Sequence, residues 1–120
     1  MIGEIAIAIK ALDSAFVLCQ SAISKKKEID DMAGEVGKFF SAKKRVEDAM
    51  AKAESSGNED LLVGSALEEA ITIDQQKERM EKMMRKLGDY YSFKGQTHRW
   101  VKIKADAVRI QKKRDLKAYQ

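Results

Sequence analysis

The sequence contains no proline, one cysteine and one histidine among its 120 residues, and aromatic residues make up only 7%. Without proline, no residue of the chain is barred from a helix interior by a missing amide hydrogen. Cys19 alone cannot form a disulfide within the chain, and Cys19 and His98 are too few for a zinc site of Cys and His ligands. These absences argue against disulfide-stapled folds and Cys–His metal centres.

The residues that are present favour helices. Charged residues make up 35% of the sequence, and the hydrophobic share of 44% consists largely of Ala, Met, Ile and Val. Such a composition is typical of long helices and coiled coils rather than of a mixed enzyme fold. A compact chain of this length buries roughly two thirds of its unfolded surface. We therefore expect an all-α fold, with residues 1–120 forming a single helical domain.

The most apolar stretch runs from Ile2 to Lys27, with only Glu4, Lys10 and Asp13 charged before its closing lysines. These three charges argue against both a signal peptide and a membrane-spanning helix. Large apolar residues recur at alternating steps of three and four, which is the spacing of a heptad seam. The seam consists of Ile2, Ile5, Ile9, Leu12, Phe16, Cys19 and Ile23.

Other apolar residues widen this face beyond the seam. Ile7, Val17 and Leu18 lie off it, as they would in a helix that is contacted on more than one side. One short chain offers little to cover so wide a surface. We therefore expect a homo-oligomer whose self-association uses Ile5, Ile9, Leu12, Phe16 and Ile23.

Two turn-forming stretches and one shift of register divide the chain. The apolar pattern steps by six rather than seven from Ile23 to Ile29, which leaves open one helix of about 75 Å or a kinked pair. The stretches SSGNED (55–60) and SFKGQT (92–97) are rich in turn-forming residues, and Gly88 belongs to the same predicted break as the second stretch. We expect three helices, near 2–54, 65–91 and 98–118, packed as an antiparallel, coiled-coil-like bundle.

The second predicted helix carries its own apolar track. Ser65 and Glu68 have the spacing of a capping box at its start. The track that follows, which we expect to face the core, consists of Ala66, Ala70, Ile73, Met80, Met84, Leu87 and Tyr91.

Positive charge is concentrated at the C-terminal end. Residues 94–120 contain nine Lys and Arg against two Asp, although the whole chain carries a net charge of only +4. A basic end of this kind suits a nucleic acid, an anionic membrane surface or an acidic partner, and it is also typical of a solvated helix face. The candidate anion-binding residues are Lys102, Arg109, Lys112, Lys113, Arg114 and Lys117. The same predicted helix has an apolar face that consists of Trp100, Ile103, Ala107 and Ile110.

The sequence contains no pattern that predicts catalysis. There is no pair of Glu-x-x-His motifs for a di-iron centre, no glycine-rich phosphate loop, and His98 stands between Thr97 and Arg99 rather than in a triad pattern. Adjacent acids such as Asp30 and Asp31 diverge on a helix and cannot act on one bond together. We expect no enzyme activity, no catalytic residue, no metal and no cofactor.

Three phrases together carry a resemblance that covers nearly the whole chain. They are KKKEIDDMAGEVGKFFSAKKRVEDA (25–49), SALEEAITIDQQKERMEKMMRKLGDYY (65–91) and GQTHRWVKIKADAVRIQKKRDLKAYQ (95–120). In this order they resemble a group of small helical proteins of tailed bacteriophages, many of marine origin. Members of that group generally lack an assigned activity, and they commonly continue past a basic helix into a C-terminal transmembrane segment.

The present sequence departs from the group at Gln120, before any such segment. If a span followed, Lys112, Lys113, Arg114 and Lys117 would form its cytoplasmic basic flank. The resemblance implies a non-enzymatic structural or assembly protein of a phage, in the virion, the host cytoplasm or at the cytoplasmic face of the host membrane. Its partners would be further copies of itself, other phage proteins and an anionic membrane surface. The alternative is a nucleic-acid-binding module that uses the basic C-terminal helix.

Overall fold

The computed structural model describes the backbone of residues 2–55 and 63–118 and the side chains of residues 4–54 and 67–118. Within these ranges the fold is all-α, as predicted. It consists of α1 (Ile2–Ser24), a short 3₁₀ helix (Ile29–Met32), α2 (Ala33–Ser55), α3 (Val63–Phe93) and α4 (Thr97–Ala118). The described residues form four α-helices rather than the expected three, because the N-terminal segment, for which one helix or a kinked pair was left open, forms two separate helices. The predicted turn at 55–60 lies almost wholly outside the described residues.

The break between α1 and α2 falls at the lysine run. Lys26 adopts a φ of 55°, in the left-handed region, and thereby ends α1. Its amide donates to the carbonyl of Ile23 at 2.9 Å, and the amide of Lys27 donates to that of Ala22 at 3.1 Å. These two bonds are those of a Schellman cap, which satisfies carbonyls that a helix end leaves free. The displaced seam in the sequence therefore marks a complete break in the helix.

The described helices form two compact units, Met1–Met84 and Arg85–Gln120. Helix α3 contributes residues to both. The single domain expected for residues 1–120 stays a prediction. The two units also differ in charge, since residues 1–84 contain 12 Lys and Arg against 16 Asp and Glu, whereas residues 85–120 contain 11 against three.

In the first unit α1 and α2 pack as an antiparallel hairpin. Phe16 contacts Phe39 with ring centroids 5.8 Å apart, and Glu4 near the start of α1 pairs with Lys52 near the end of α2 at 3.9 Å. The core between and around the helices consists of Ala8, Leu12, Ala15, Phe16, Cys19, Ala22, Ile29, Met32, Val36, Phe39, Ala42, Val46, Met50, Ala53, Ile73, Met80 and Met83.

Helix α3 joins this unit through both apolar and ionic contacts. Ile73 and Met80 are buried, as the apolar track predicted, but Ala70 is exposed. Met83 is buried, whereas Met84, which the track predicted, is partly exposed. Arg79 pairs with Asp13 of α1. The Nζ of Lys77 lies 3.7 Å from the carboxylate of Glu54 at the end of α2.

The second unit is built around the single tryptophan. Trp100 of α4 packs on Tyr91 of α3 with ring centroids 5.0 Å apart, and Leu87 and Tyr90 are buried beside them. Gly95, with a φ of 72°, forms the turn between the two helices. The sequence placed Gly88 at a break, whereas the structure keeps it inside α3. A Cβ at Gly88 would lie only 2.6 Å from Nε1 of Trp100, so the close approach of the indole requires glycine there.

Gly88→Ala should therefore destabilise the second unit, because the added methyl collides with Trp100. Overpacking of this kind costs about 1–3 kcal/mol and outweighs the gain of up to about 1 kcal/mol that alanine brings to a helix interior. Thermal unfolding followed by circular dichroism measures the effect.

Gly37→Ala is the matched control, because it lies inside α2 with nothing within 4 Å of the added Cβ. We expect it to leave the stability unchanged or to raise it. Equal effects of the two substitutions would contradict the role assigned to Gly88.

Candidate functional site

The five residues predicted for self-association lie on the side of α1 that faces the core of its own unit. Leu12 and Phe16 are buried, and Ile5, Ile9 and Ile23 are partly exposed. The five residues thus lie on one side of α1, and α2 of the same chain covers the centre of this side. The assignment of these residues to an oligomer contact stays a prediction.

The apolar residues that α1 leaves uncovered lie on its other side. Ile7 is 70% exposed, Val17 60% and Leu18 44%. We call these three residues the outer face of α1. In the sequence, the same three residues lie off the heptad seam and widen the apolar face of the predicted helix. Since an antiparallel neighbour covers one side of a helix, their exposure follows from the hairpin itself.

Helix α1 is also the one described helix that is long and apolar enough to cross a membrane, over Glu4–Ser24. These properties concern length and composition alone, and the core helix of a protein or a signal sequence shares them. Here α1 supplies the buried side chains of Leu12 and Phe16 to the core of the first unit.

The thiol of Cys19 lies in the core of the first unit. It donates a hydrogen bond to the backbone carbonyl oxygen of Glu35 at 3.4 Å. Burial, followed by the negative charge of Glu35, raises the pKa of the Cys19 thiol from 9.0 to about 11. Since the thiolate is the reactive form, this cysteine stays protonated and unreactive at neutral pH.

The basic residues predicted to bind anions all lie exposed on α4. Lys102, Arg109, Lys113 and Lys117 share one side of the helix by its geometry of 3.6 residues per turn. Lys112 lies at the edge of this side, next to Val101 and Val108, while Arg114 projects at another angle. Nη2 of Arg109 lies 3.6 Å from Oδ1 of Asp106 on the same helix. Beyond Trp100, no described residue of α4 is buried.

Exposed apolar residues accompany these charges on α4. Val101 and Val108 are each 56% exposed, and both border the basic residues. Phosphates of a nucleic acid are bound by basic side chains and gain nothing from exposed valines. A helix that packs on another protein buries such apolar residues at the contact. The sequence showed these residues, but it did not show that α4 would leave them uncovered.

The outward side of α3 is a feature that the sequence analysis missed. Leu67, Ile71, Asp74, Glu78 and Glu81 are all exposed and follow one another at steps of four and three. By helix geometry they form a single face, apolar at its first two positions and acidic at its last three. The apolar track of the same helix predicts which side is buried and does not predict the chemistry of the opposite side.

Among the side chains that the structure describes, no group of three or more His, Cys, Asp or Glu residues could hold a metal ion. His98 is exposed at the start of α4. What the chain does offer is a set of helix faces, which are the outer face of α1 and the exposed sides of α3 and α4. No protein-family model, no curated protein and no solved structure matches this chain.

The folded-state protonation of Cys19 gives a test of the core. The thiol of Cys19 releases its proton near pH 9.0 in the unfolded chain but only near pH 11 in the folded chain. The stability that the neutral thiol contributes is therefore complete below pH 9 and is lost as the pH rises toward 11. Over this window the free energy of unfolding should fall more steeply for the wild-type chain than for Cys19→Ala, by up to about 1.4 kcal/mol per pH unit. Urea unfolding at a series of pH values measures both slopes. Equal slopes would contradict a shifted thiol.

Proposed function

We propose that this protein is a non-enzymatic structural or assembly protein that acts through helix–helix self-association. The observation that carries the proposal is the outer face of α1. Ile7 and Val17 remain mostly exposed on the most apolar helix of the chain, although α2 already covers the opposite side. Burying apolar surface gains roughly 25 cal/mol per Å², so a second copy packed on this face would stabilise both chains.

The setting that we propose is a tailed bacteriophage, and it is supported by the resemblance of the three sequence phrases to small helical phage proteins. Assembly would take place in the virion, in the host cytoplasm or at the cytoplasmic face of the host membrane. Further copies of the chain are the primary partner, and other phage proteins and an anionic membrane surface are additional ones. Binding of nucleic acid by α4 is the alternative.

Val17→Asp and Ile7→Asp, made separately, should weaken self-association at least tenfold. Each removes apolar contact and would bury an unpaired carboxylate, which together cost well over 1.4 kcal/mol. Size-exclusion chromatography coupled to light scattering measures the solution mass across a range of protein concentrations. We expect a multiple of 13.5 kDa for the wild-type chain and a shift toward a single chain for both variants.

Ser41→Asp is the matched control, because Ser41 is an exposed residue inside α2 and does not belong to the outer face of α1. Its mass should equal that of the wild type. Phe16→Asp is unsuited to the test, since Phe16 packs on Phe39 and its loss would unfold the hairpin. A wild-type mass that neither Val17→Asp nor Ile7→Asp changes would overturn the proposed contact.

A further inference from the structure

Two exposed helix faces on this chain are complementary in charge and size. The acidic face of α3 consists of Leu67, Ile71, Asp74, Glu78 and Glu81. The basic face of α4 consists of Val101, Lys102, Ala105, Val108, Arg109, Lys112 and Lys113. The first spans roughly 21 Å along its helix and the second roughly 18 Å, at 1.5 Å per residue.

Helix α4 is short of packing partners for its length. It has 22 residues, of which Trp100 is the one buried among those described. An isolated helix of this size is marginal in water, and most helices in proteins depend on the packing of an apolar stripe. Val101, Ala105 and Val108 form such a stripe at steps of four and three, and all three are exposed. A surface that covers α4 must therefore accept both apolar contacts and positive charge.

The acidic face of α3 offers both. Leu67 and Ile71 are exposed at its beginning, and Asp74, Glu78 and Glu81 follow. The basic face of α4 is also more apolar at its beginning and more charged at its end, where Arg109, Lys112 and Lys113 lie. A parallel alignment of the two helices places the apolar residues of one opposite those of the other. It also places the carboxylates opposite the basic residues.

We propose that the basic face of α4 docks on the acidic face of α3 in a second copy of this chain. The inference rests on the proposed self-association and adds a second contact, separate from the outer face of α1. Charge complementarity selects the occupant, because the unit that contains the acidic face has an excess of four acidic residues and the unit that contains α4 an excess of eight basic ones. Each chain would present both halves of the contact. Such a heterologous contact closes into a ring or extends into an open array.

Two charge-reversed full-length variants test the contact. The first carries Asp74→Lys, Glu78→Lys and Glu81→Lys, and the second carries Arg109→Glu, Lys112→Glu and Lys113→Glu. All six positions are exposed, so neither variant should unfold, and circular dichroism checks this. Light scattering should show that each variant alone has a lower mass than the wild type, because like charges then face each other.

Mixing the two variants provides the decisive control. The basic α4 of the first variant meets the unaltered acidic α3 of the second, and the acidic α4 of the second meets the basic α3 of the first. The mixture should recover the wild-type mass, which unfolding of either variant cannot explain. High salt should lower the masses of the wild type and the mixture alike, because exposed ion pairs are screened.

Each failure has its own signature. If the wild type is an oligomer and both reversed variants keep its mass, the docking of α4 on α3 is overturned and the proposed function stands. If the reversals lower the mass while Val17→Asp leaves it unchanged, the α1 contact fails and the present inference stands. A wild-type chain that is monomeric at every concentration overturns both.

Other occupants of the basic face are outcomes of the same experiment. The wild-type chain and the Arg109→Glu, Lys112→Glu, Lys113→Glu variant are each mixed with vesicles of phosphatidylglycerol and with duplex DNA. If the variant loses binding to either probe but keeps the wild-type mass, α4 serves an anionic surface and the inference is overturned.

Discussion

The packing of Phe16 on Phe39 is the contact on which the first unit depends. It fixes α1 and α2 side by side, with Leu12 and Val46 fully buried near it. The same contact determines what stays outside, because one antiparallel neighbour covers only one side of a helix that is apolar around more than half of its circumference. The exposed outer face of α1 is thus a direct consequence of how the hairpin closes. Among the described residues, Ile7, Val17 and Leu18 of this helix stay exposed.

Much of this arrangement could be predicted from the sequence. The seam spacing identified Leu12, Phe16 and Cys19 as residues of one packed face, and all three are buried. The identity of the covering helix could not be predicted, since a heptad seam has the same spacing whether it packs on its own chain or on another copy. The step of six residues indicated a disturbance at the lysines. It did not indicate that Lys26, which is not glycine, would take a left-handed backbone conformation and end the helix.

The second unit shows where local patterns are insufficient. Gly88 looked like part of a turn because glycine disfavours helices, yet it lies inside α3 to make room for Trp100, 12 residues further along. The sequence correctly placed Trp100 on the apolar side of α4, but Ala107 and Ile110 on the same predicted face are exposed. The acidic face of α3 was not predicted from the sequence, for a similar reason. An apolar track shows which side is buried, and it says little about the side that faces outward.

The placement of the aromatic residues has a practical consequence. The second unit contains the one tryptophan and all three tyrosines, at positions 90, 91 and 119. In residues 1–84 the aromatic residues are all phenylalanines. Absorbance at 280 nm and intrinsic fluorescence therefore report on residues 85–120 alone. Melting of the α1–α2 hairpin is silent in both signals, so they follow the unfolding of the second unit by itself without any added label.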